Sequence, residues 1–452
     1  MFRNILSLVA PIAPELRTAF LNRTAIDRNL KPTEMNSSYI TYGMIILGGL
    51  CATSVYSKNQ SLMPGQNGYS TTPLFTVGET IHGYSPPGIL DGLAAFDRGD
   101  HIYLLANHEM AVNPPPSGGH VLPNGEYSLE NGVSLSGGRI SFFQIDKGTR
   151  TVTDAGLAFD RIINRAGEEV DEPADLVFKG VDRLCSAFGT EAGRYGFVDT
   201  IFLAGEETTD ETDPNNPIGG GMFALDVEGR SLWAAPALGV AKWENAVPLN
   251  VPAINETHII LLLGDDTDGA PLYLYVGEKD RSADAGFLSR NGLAQGELYM
   301  WKTDDGSTLP KDFAGNGNSK SGRFVQVVNY QPESAGQDGF DALGYAALKN
   351  LHSQRDLHQA FRFSRPEDLA TNPDNGTQLV FASTGHTFDS ADFWGTTYII
   401  DVEITKQRLD SGSIGATIRV LHDGDAFSDY GYSDSREGLR NPDNLCWATD
   451  GF

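Results

Sequence analysis

The sequence predicts an all-β protein, closed on itself as a sandwich, a barrel or a propeller. Three observations predict it. Short runs of β-branched, aromatic and leucine residues recur along most of the chain, they are bounded by Gly, Asp, Asn and Pro, and helical periodicity is almost absent. The 452 residues include 51 glycines, which suits many turns, and a hydrophobic fraction of 40% is enough for a substantial core.

The runs follow one another as HIYLLAN from His101, RISFFQI from Arg139, DTIFLAG from Asp199 and GMFALDV from Gly221. HIILLLGDD from His258, LYLYVGE from Leu272, ELYMWKT from Glu297 and FVQVVNY from Phe324 continue the series. QLVFAST from Gln378, TTYIIDVEI from Thr396 and ATIRVLH from Ala416 close it. Many are continuously apolar and not alternating, the pattern of strands buried on both faces. Helices are predicted only near Pro366 to Ala370 and around Asp341 to Gln354. No fixed-length repeat stands out, which argues against a WD40 or kelch array but leaves room for a propeller of divergent blades. The long loops from Met110 to Gly138 and from Thr208 to Gly219 are where a site is expected on such a scaffold.

No linker divides the body, so residues 58–452 read as one domain. Residues 1–57 read as an N-terminal extension with a signal-like segment. Its apolar stretch from Tyr42 to Ala52 has the length of a signal-peptide core and is too short for a comfortable membrane span. A periplasmic or secreted protein without a stable membrane span is therefore expected. Cys51 falls in this segment, which leaves Cys185 and Cys446 in the body, too few for a disulfide scaffold. With 59 acidic against 33 basic residues the formal charge is -26. Nothing in that balance neutralises a phosphate backbone, so nucleic acid is excluded as a partner, whereas divalent cations fit.

Carboxylates recur where strands end. Glu109 closes HIYLLANHE, Glu206 and Glu207 close DTIFLAGEE, Glu244 sits in KWENAVP, and Asp265 and Asp266 close IILLLGDD. Glu367 and Asp368 lie in SRPEDLA, and Asp443 in NPDNLCW. Any one of them beside Gly or Pro is an ordinary turn residue. As a set they are what a hard-cation cage needs, because calcium takes about six to eight oxygens and must draw them from many loops. Cys185 is a candidate thiolate ligand or a small core residue. Arg365 is a candidate to hold a phosphate bidentately or a member of a surface ion pair.

Taken in order, ILDGLAAF, NHE, the Cys185 segment DRLCSAFG, GEE, WENAVP, LLLGDDT with LYLYVGEKD, RPEDL and NPDNLCWATDG resemble the PhoX family of alkaline phosphatases. The resemblance runs from about Pro86 to Phe452; no piece is specific alone, but the series in the family's order is. It implies a six-bladed β-propeller whose axial pocket holds calcium and ferric iron. Cys185 resembles the iron-binding cysteine, Glu207, Glu244, Glu367 and Asp443 stand in the places of metal-ligating carboxylates, and Glu109 matches a further calcium ligand. Arg365 stands where the family has its phosphate-binding, catalytic arginine. The implied activity is hydrolysis of small phosphate esters outside the cytoplasm for phosphate scavenging, by a monomer.

The chain departs from the family in three ways. No twin arginine precedes the apolar run, the glutamate pair follows Gly205 where the phosphatases have a cysteine, and the chain stops at Thr449-Asp450-Gly451-Phe452 where the family continues through further strands. A propeller incomplete at its C-terminal end is thus expected. Two other readings compete: a different calcium-dependent propeller hydrolase of lactonase or phytase-like kind, and a non-catalytic calcium-stabilised propeller. Neither needs Cys185 or Arg365, and the presence of both favours the phosphatase.

Overall fold

The computed structural model describes residues 65, 68, 70–112, 125–210, 218–385 and 392–448. The signal-like segment with Cys51, part of the loop after Met110, part of the acidic loop after Thr208 and the final Thr-Asp-Gly-Phe lie outside these residues. The chain divides into two compact units, Met1–Thr76 and Val77–Phe452. The second holds every element described below.

Its strands come in meandering antiparallel sets. The first sheet joins β1 (Leu90–Arg98), β2 (His101–His108), β3 (Arg139–Asp146) and β4 (Val152–Leu157) in that order. The second contains β5 (Arg161–Ile163), β6 (Leu184–Thr190), β7 (Ile201–Glu206), β8 (Met222–Asp226) and β9 (Ser231–Ala234). Its spatial order is β5-β9-β8-β7-β6, with β5 added parallel to the outer edge.

The third sheet begins with β10 (Trp243–Pro248), β11 (His258–Asp265), β12 (Tyr273–Glu278), β13 (Gly296–Thr303) and β14 (Ser319–Val327). The helix α1 (Leu348–His358) follows, then β15 (Pro366–Thr371), β16 (Gln378–Ser383), β17 (Thr396–Glu403) and β18 (Gly415–Asp423). Strand β14 pairs with both β13 and β18, so the nine strands run β10-β11-β12-β13-β14-β18-β17-β16-β15. The sheet doubles back until its two end strands lie side by side.

The architecture is propeller-like, and the described residues build four blades. Their innermost strands β1, β6, β10 and β15 are consecutive neighbours. Burial explains the unbroken apolar runs. Along β11, Ile259, Leu261 and Leu263 enter one core while Ile260 and Leu262 enter another. Its neighbours repeat the split: Tyr273, Tyr275, Leu298 and Met300 face the first core, and Leu274, Val276, Tyr299 and Trp301 the second. A blade wedged between two others has no solvent face, so the alternation of period two sorts apolar from apolar. Trp301 is fully buried and meets Phe361 and Phe363, so its truncation to Ala should cost about 3–5 kcal/mol.

Two local expectations change. The helix near Asp341 to Gln354 begins later, at Leu348. Pro366 to Ala370 is not helical but the inner strand β15. Proline is tolerated as the first residue of a strand, and the Glu367-Asp368 pair that imitates the acidic first turn of a helix lies in a bulge. No described helix is long and apolar enough to cross a membrane.

Candidate metal centre

Each inner strand carries a β-bulge, and all four fall at the same place. Register slips between Leu90 and Leu93, Leu184 and Ala187, Trp243 and Ala246, and Pro366 and Leu369. The first residue of each segment pairs with the buried polar residue that ends the second strand of its blade: His108, Glu206, Asp265 or Ser383. An extra residue in one strand breaks the alternation and re-aims the side chains there. The second residues of the segments are Asp91, Cys185, Glu244 and Glu367. Immediately after the second strands come Glu109, Glu207, Asp266 and Thr384. A further segment of the same pattern, Pro442-Asp443-Asn444-Leu445, returns to this end of the blades outside any strand: the Thr384 hydroxyl donates to Pro442 O at 2.7 Å.

In three of the four strand segments the third residue, Ser186, Asn245 or Asp368, locks the ring. The Ser186 hydroxyl donates to Asp368 Oδ1 at 3.2 Å, the Asn245 amide donates to the same oxygen, and Leu445 N–H donates to Asp368 Oδ2 at 3.0 Å. Asn107 Nδ2 donates to Cys185 O at 2.7 Å. Close approach of the strands needs a bare backbone opposite two bulges: a Cβ on Gly264 would come 2.1 Å from Glu367 O, and one on Gly205 would come 2.5 Å from Trp243 O.

This scaffold gathers the acids. Three overlapping sets, Asp91–Glu109–Cys185, Cys185–Glu207–Glu244 and Glu244–Glu367–Asp443, each hold their ligand atoms within 4.8 Å of one another. Cys185 Sγ lies 3.4 Å from Glu244 Oε1 and 3.6 Å from Asp91 Oδ2. Glu244 is 1% exposed and Glu367 3%, so neither can shed its charge into water. Two arginines face the acids. Arg365 lies 2.5 Å from Asp266 Oδ1 and 2.9 Å from Glu367 Oε1. Arg183 lies 2.5 Å from Glu207 Oε2 and also pairs with Glu109.

Protonation records the shortage of positive charge. Burial, then the charges of Asp266 and Asp443, pushes Glu367 up to about 10. Burial and a hydrogen bond with Asp266 push Glu207 up to about 8, and burial with the charge of Glu109 pushes Asp91 up to about 6. Glu244 rises well above the usual carboxylate range through burial and the charges of Glu367 and Asp91. The Cys185 thiol rises through burial and the same carboxylate surroundings. Burial would raise Asp266 too, but hydrogen bonds from Arg365, Glu207 and Glu367 outweigh it and hold its carboxyl below the usual range. Seven carboxyls and a thiol against two guanidinia is a donor set that bound cations would satisfy. The oxygens suit a hard cation such as calcium, and the thiolate suits a softer transition-metal ion.

All six candidate ligands read from the sequence, Glu109, Cys185, Glu207, Glu244, Glu367 and Asp443, lie in this one cluster, and Arg365 borders it. Cys446 lies apart from the three sets and is exposed. Two members escaped the sequence reading: Asp91 sat unremarked inside ILDGLAAF, and Arg183 had no signal except its place two residues before Cys185. Asp266 was read only as one strand-end acid among many.

Residues 230–451 match the family model described as alkaline phosphatase PhoX. That match supports a PhoX-type chain. The matched segment holds Glu244, Asp266, Arg365, Glu367 and Asp443, while Asp91, Glu109, Arg183, Cys185 and Glu207 precede it and join the same centre. The fold is also similar to a solved structure, "Pseudomonas fluorescens PhoX in complex with vanadate, a transition state analogue", with a TM-score of 0.51 and 14% identity over 80% of this chain and 73% of that one. No curated protein matches the sequence. PhoX proteins are phosphoric ester hydrolases, so the cluster at the inner strands is the candidate active site.

Proposed function

We propose that the chain is a calcium- and iron-dependent phosphate-ester hydrolase of the alkaline phosphatase type, acting outside the cytoplasm as a monomer on small phosphate esters to scavenge phosphate. A six-bladed ring is part of the proposal. The observation that carries it is the bulge repeated on four inner strands, which brings Asp91, Cys185, Glu244 and Glu367 to one place beside Arg365. A non-catalytic propeller has no use for a guanidinium beside a carboxylate cluster, and a calcium lactonase has no use for the thiol.

Glu109, Glu207, Glu244, Glu367, Asp443 and Asp91 would hold calcium, and Cys185 with Glu244 would hold iron. Bound there, the cations would neutralise phosphoryl oxygens and the charge that develops as the ester bond breaks. The residues of the chain do the rest. Arg365 keeps its guanidinium against Asp266, whose carboxyl stays ionised, and can turn its fork to a phosphoryl oxygen without losing that anchor. The interlocked Ser186, Asn245 and Asp368 fix the spacing of the ligand-bearing strands before any substrate arrives.

The test is hydrolysis of an aryl phosphate at alkaline pH by the full chain supplied with calcium and iron, then with chelator, then with calcium restored. Turnover that chelation stops and calcium returns is expected. A folded, calcium-binding chain without turnover would instead support the inert propeller.

A further inference from the structure

Arg183 stands in its blade where Arg365 stands in another. Each lies two residues before the bulge residue of its inner strand, Cys185 in one case and Glu367 in the other. Each takes a left-handed backbone, with φ of 49° and 67°. Each carbonyl accepts the N–H of the residue that follows the second strand, Glu207 for Arg183 and Thr384 for Arg365, both at 3.0 Å. Each guanidinium lies on two carboxylates, Glu109 and Glu207 for the one, Asp266 and Glu367 for the other. Their side chains are 39% and 31% exposed, so both are open on one side.

The module itself does not demand an arginine at this position. In the first blade Ile89 fills it, with φ of 50° and its carbonyl accepting the Glu109 N–H at 2.9 Å, and in the third Lys242 accepts the Asp266 N–H at 2.9 Å. An arginine in left-handed backbone is uncommon, and here the backbone role is met equally by isoleucine. The side chain is the reason for it. Glu207 also hydrogen-bonds Asp266, so Arg183, Glu207, Asp266 and Arg365 form one continuous polar chain, with a guanidinium at each end.

We infer that Arg183 is a second phosphate-binding residue, presenting its fork to phosphoryl oxygens that Arg365 leaves free. The inference rests on the phosphate-ester reading above. Two planar forks suit a dianionic monoester with several free oxygens; a neutral ester would leave one of them unused. Glu109 and Glu207 hold Arg183 in the metal-free chain, and a cation taking those carboxylates would leave its N–H donors to the substrate.

The experiment measures vanadate and inorganic phosphate affinity by calorimetry, aryl phosphate KM and kcat, and metal content, on the full chain loaded with calcium and iron. It compares wild type with Arg183→Asn, Arg183→Lys and a control, Arg230→Asn. Asparagine tolerates left-handed backbone, and Arg230 has the same backbone, with φ of 49°, but pairs with Asp160, away from the centre. Expected in Arg183→Asn are a loss of about tenfold or more in phosphate and vanadate affinity, a matching rise in KM, and unchanged metal content. Arg183→Lys should recover part of the affinity, and Arg230→Asn should change nothing. Unchanged affinity in Arg183→Asn overturns the inference alone, as does loss of metal in parallel with affinity, which would mark a structural counter-charge. If Arg183→Asn does not fold, wild-type affinity in Arg183→Lys overturns it, because lysine keeps the charge without the fork. A wild type that neither binds vanadate nor turns over aryl phosphate overturns the hydrolase reading and this inference with it.

Discussion

Replacing Glu206 by Gln should flatten the pH dependence of folding without touching the metal centre. Glu206 ends β7, one residue before Glu207, and anchors the approach to Cys185: its two oxygens accept Asp182 N–H and Gly221 N–H, both at 2.9 Å. It is 4% exposed, and burial, only partly offset by those two hydrogen bonds, raises it from 4.5 to about 8. The folded state therefore prefers the neutral acid. At 1.36 kcal/mol per pH unit that interval corresponds to roughly 5 kcal/mol, absent below 4.5, growing as pH rises and complete by about 8. Between pH 5.5 and 8.5 the wild type should lose about 3 kcal/mol through this residue alone. Glutamine stays neutral throughout and forfeits one acceptor, at about 1 kcal/mol. Urea unfolding of both proteins across that range, in calcium and in chelator, isolates the residue by difference. The variant should be about level with wild type at pH 5.5 and about 3–4 kcal/mol above it at pH 8.5. Curves that stay parallel would show that Glu206 is not held neutral and would refute the reasoning.

Asp91→Asn should weaken calcium binding by about tenfold or more in calorimetry; in the metal-free chain at pH 8 it should add up to about 3 kcal/mol, because the folded carboxyl is raised from 3.8 to about 6 and its charge is a burden above that window. Cys185→Ser should leave calcium binding in place but remove the visible absorption of an iron–thiolate pair in the iron-loaded protein, and an unchanged spectrum would remove Cys185 from the ligand set. Glu367→Gln and Arg365→Asn should each cut aryl phosphate turnover at least about a hundredfold with unfolding temperature preserved, and normal turnover in both would sink the site assignment.

The class of fold was legible in the sequence because burial on both faces leaves an unmistakable mark. From Ile259 to Leu263 the run HIILLLGDD has no polar alternate, and each of these residues has an apolar core to enter on one side or the other. The candidate site was legible as a set of acids at strand ends, and the six residues named as candidate ligands lie in one cluster. What could not be read was the module that brings them together. Leu-Asp-Gly-Leu, Leu-Cys-Ser-Ala, Trp-Glu-Asn-Ala and Pro-Glu-Asp-Leu share no residue common to all, only a succession of side-chain classes at uneven intervals. Asp91 was lost because Asp-Gly reads as a turn, and the bulge that gives it another role is fixed by pairing with His108 on the next strand. Pro366 was misread because a bulge breaks the alternation that identifies a strand. Arg183 was lost because its partners, Glu109 and Glu207, come from two other loops.

The repeat conserves backbone and varies chemistry, and that division explains how a near-symmetric scaffold yields an asymmetric centre. At the bulge the donors run Asp91, Cys185, Glu244, Glu367; after the second strand they run Glu109, Glu207, Asp266, Thr384; two residues before the bulge they run Ile89, Arg183, Lys242, Arg365. Only the second blade carries sulfur, so a softer cation has one place to settle. The fourth blade replaces a carboxylate by the Thr384 hydroxyl, next to an arginine, which lowers negative charge where an incoming phosphate would arrive. The first blade has no cation at the third of these positions and two acids at the others, which makes its end the hardest for an anion to approach and the best for calcium. Substrate should therefore enter from the side of Arg365 and Arg183, over Asp266 and Glu207, with Asp91 and Glu109 at its back. Swapping the hydroxyl for a carboxylate, Thr384→Glu, puts this to the test: KM for aryl phosphate should rise severalfold while calcium binding holds or tightens, and a KM unmoved by the added charge would place the entrance elsewhere.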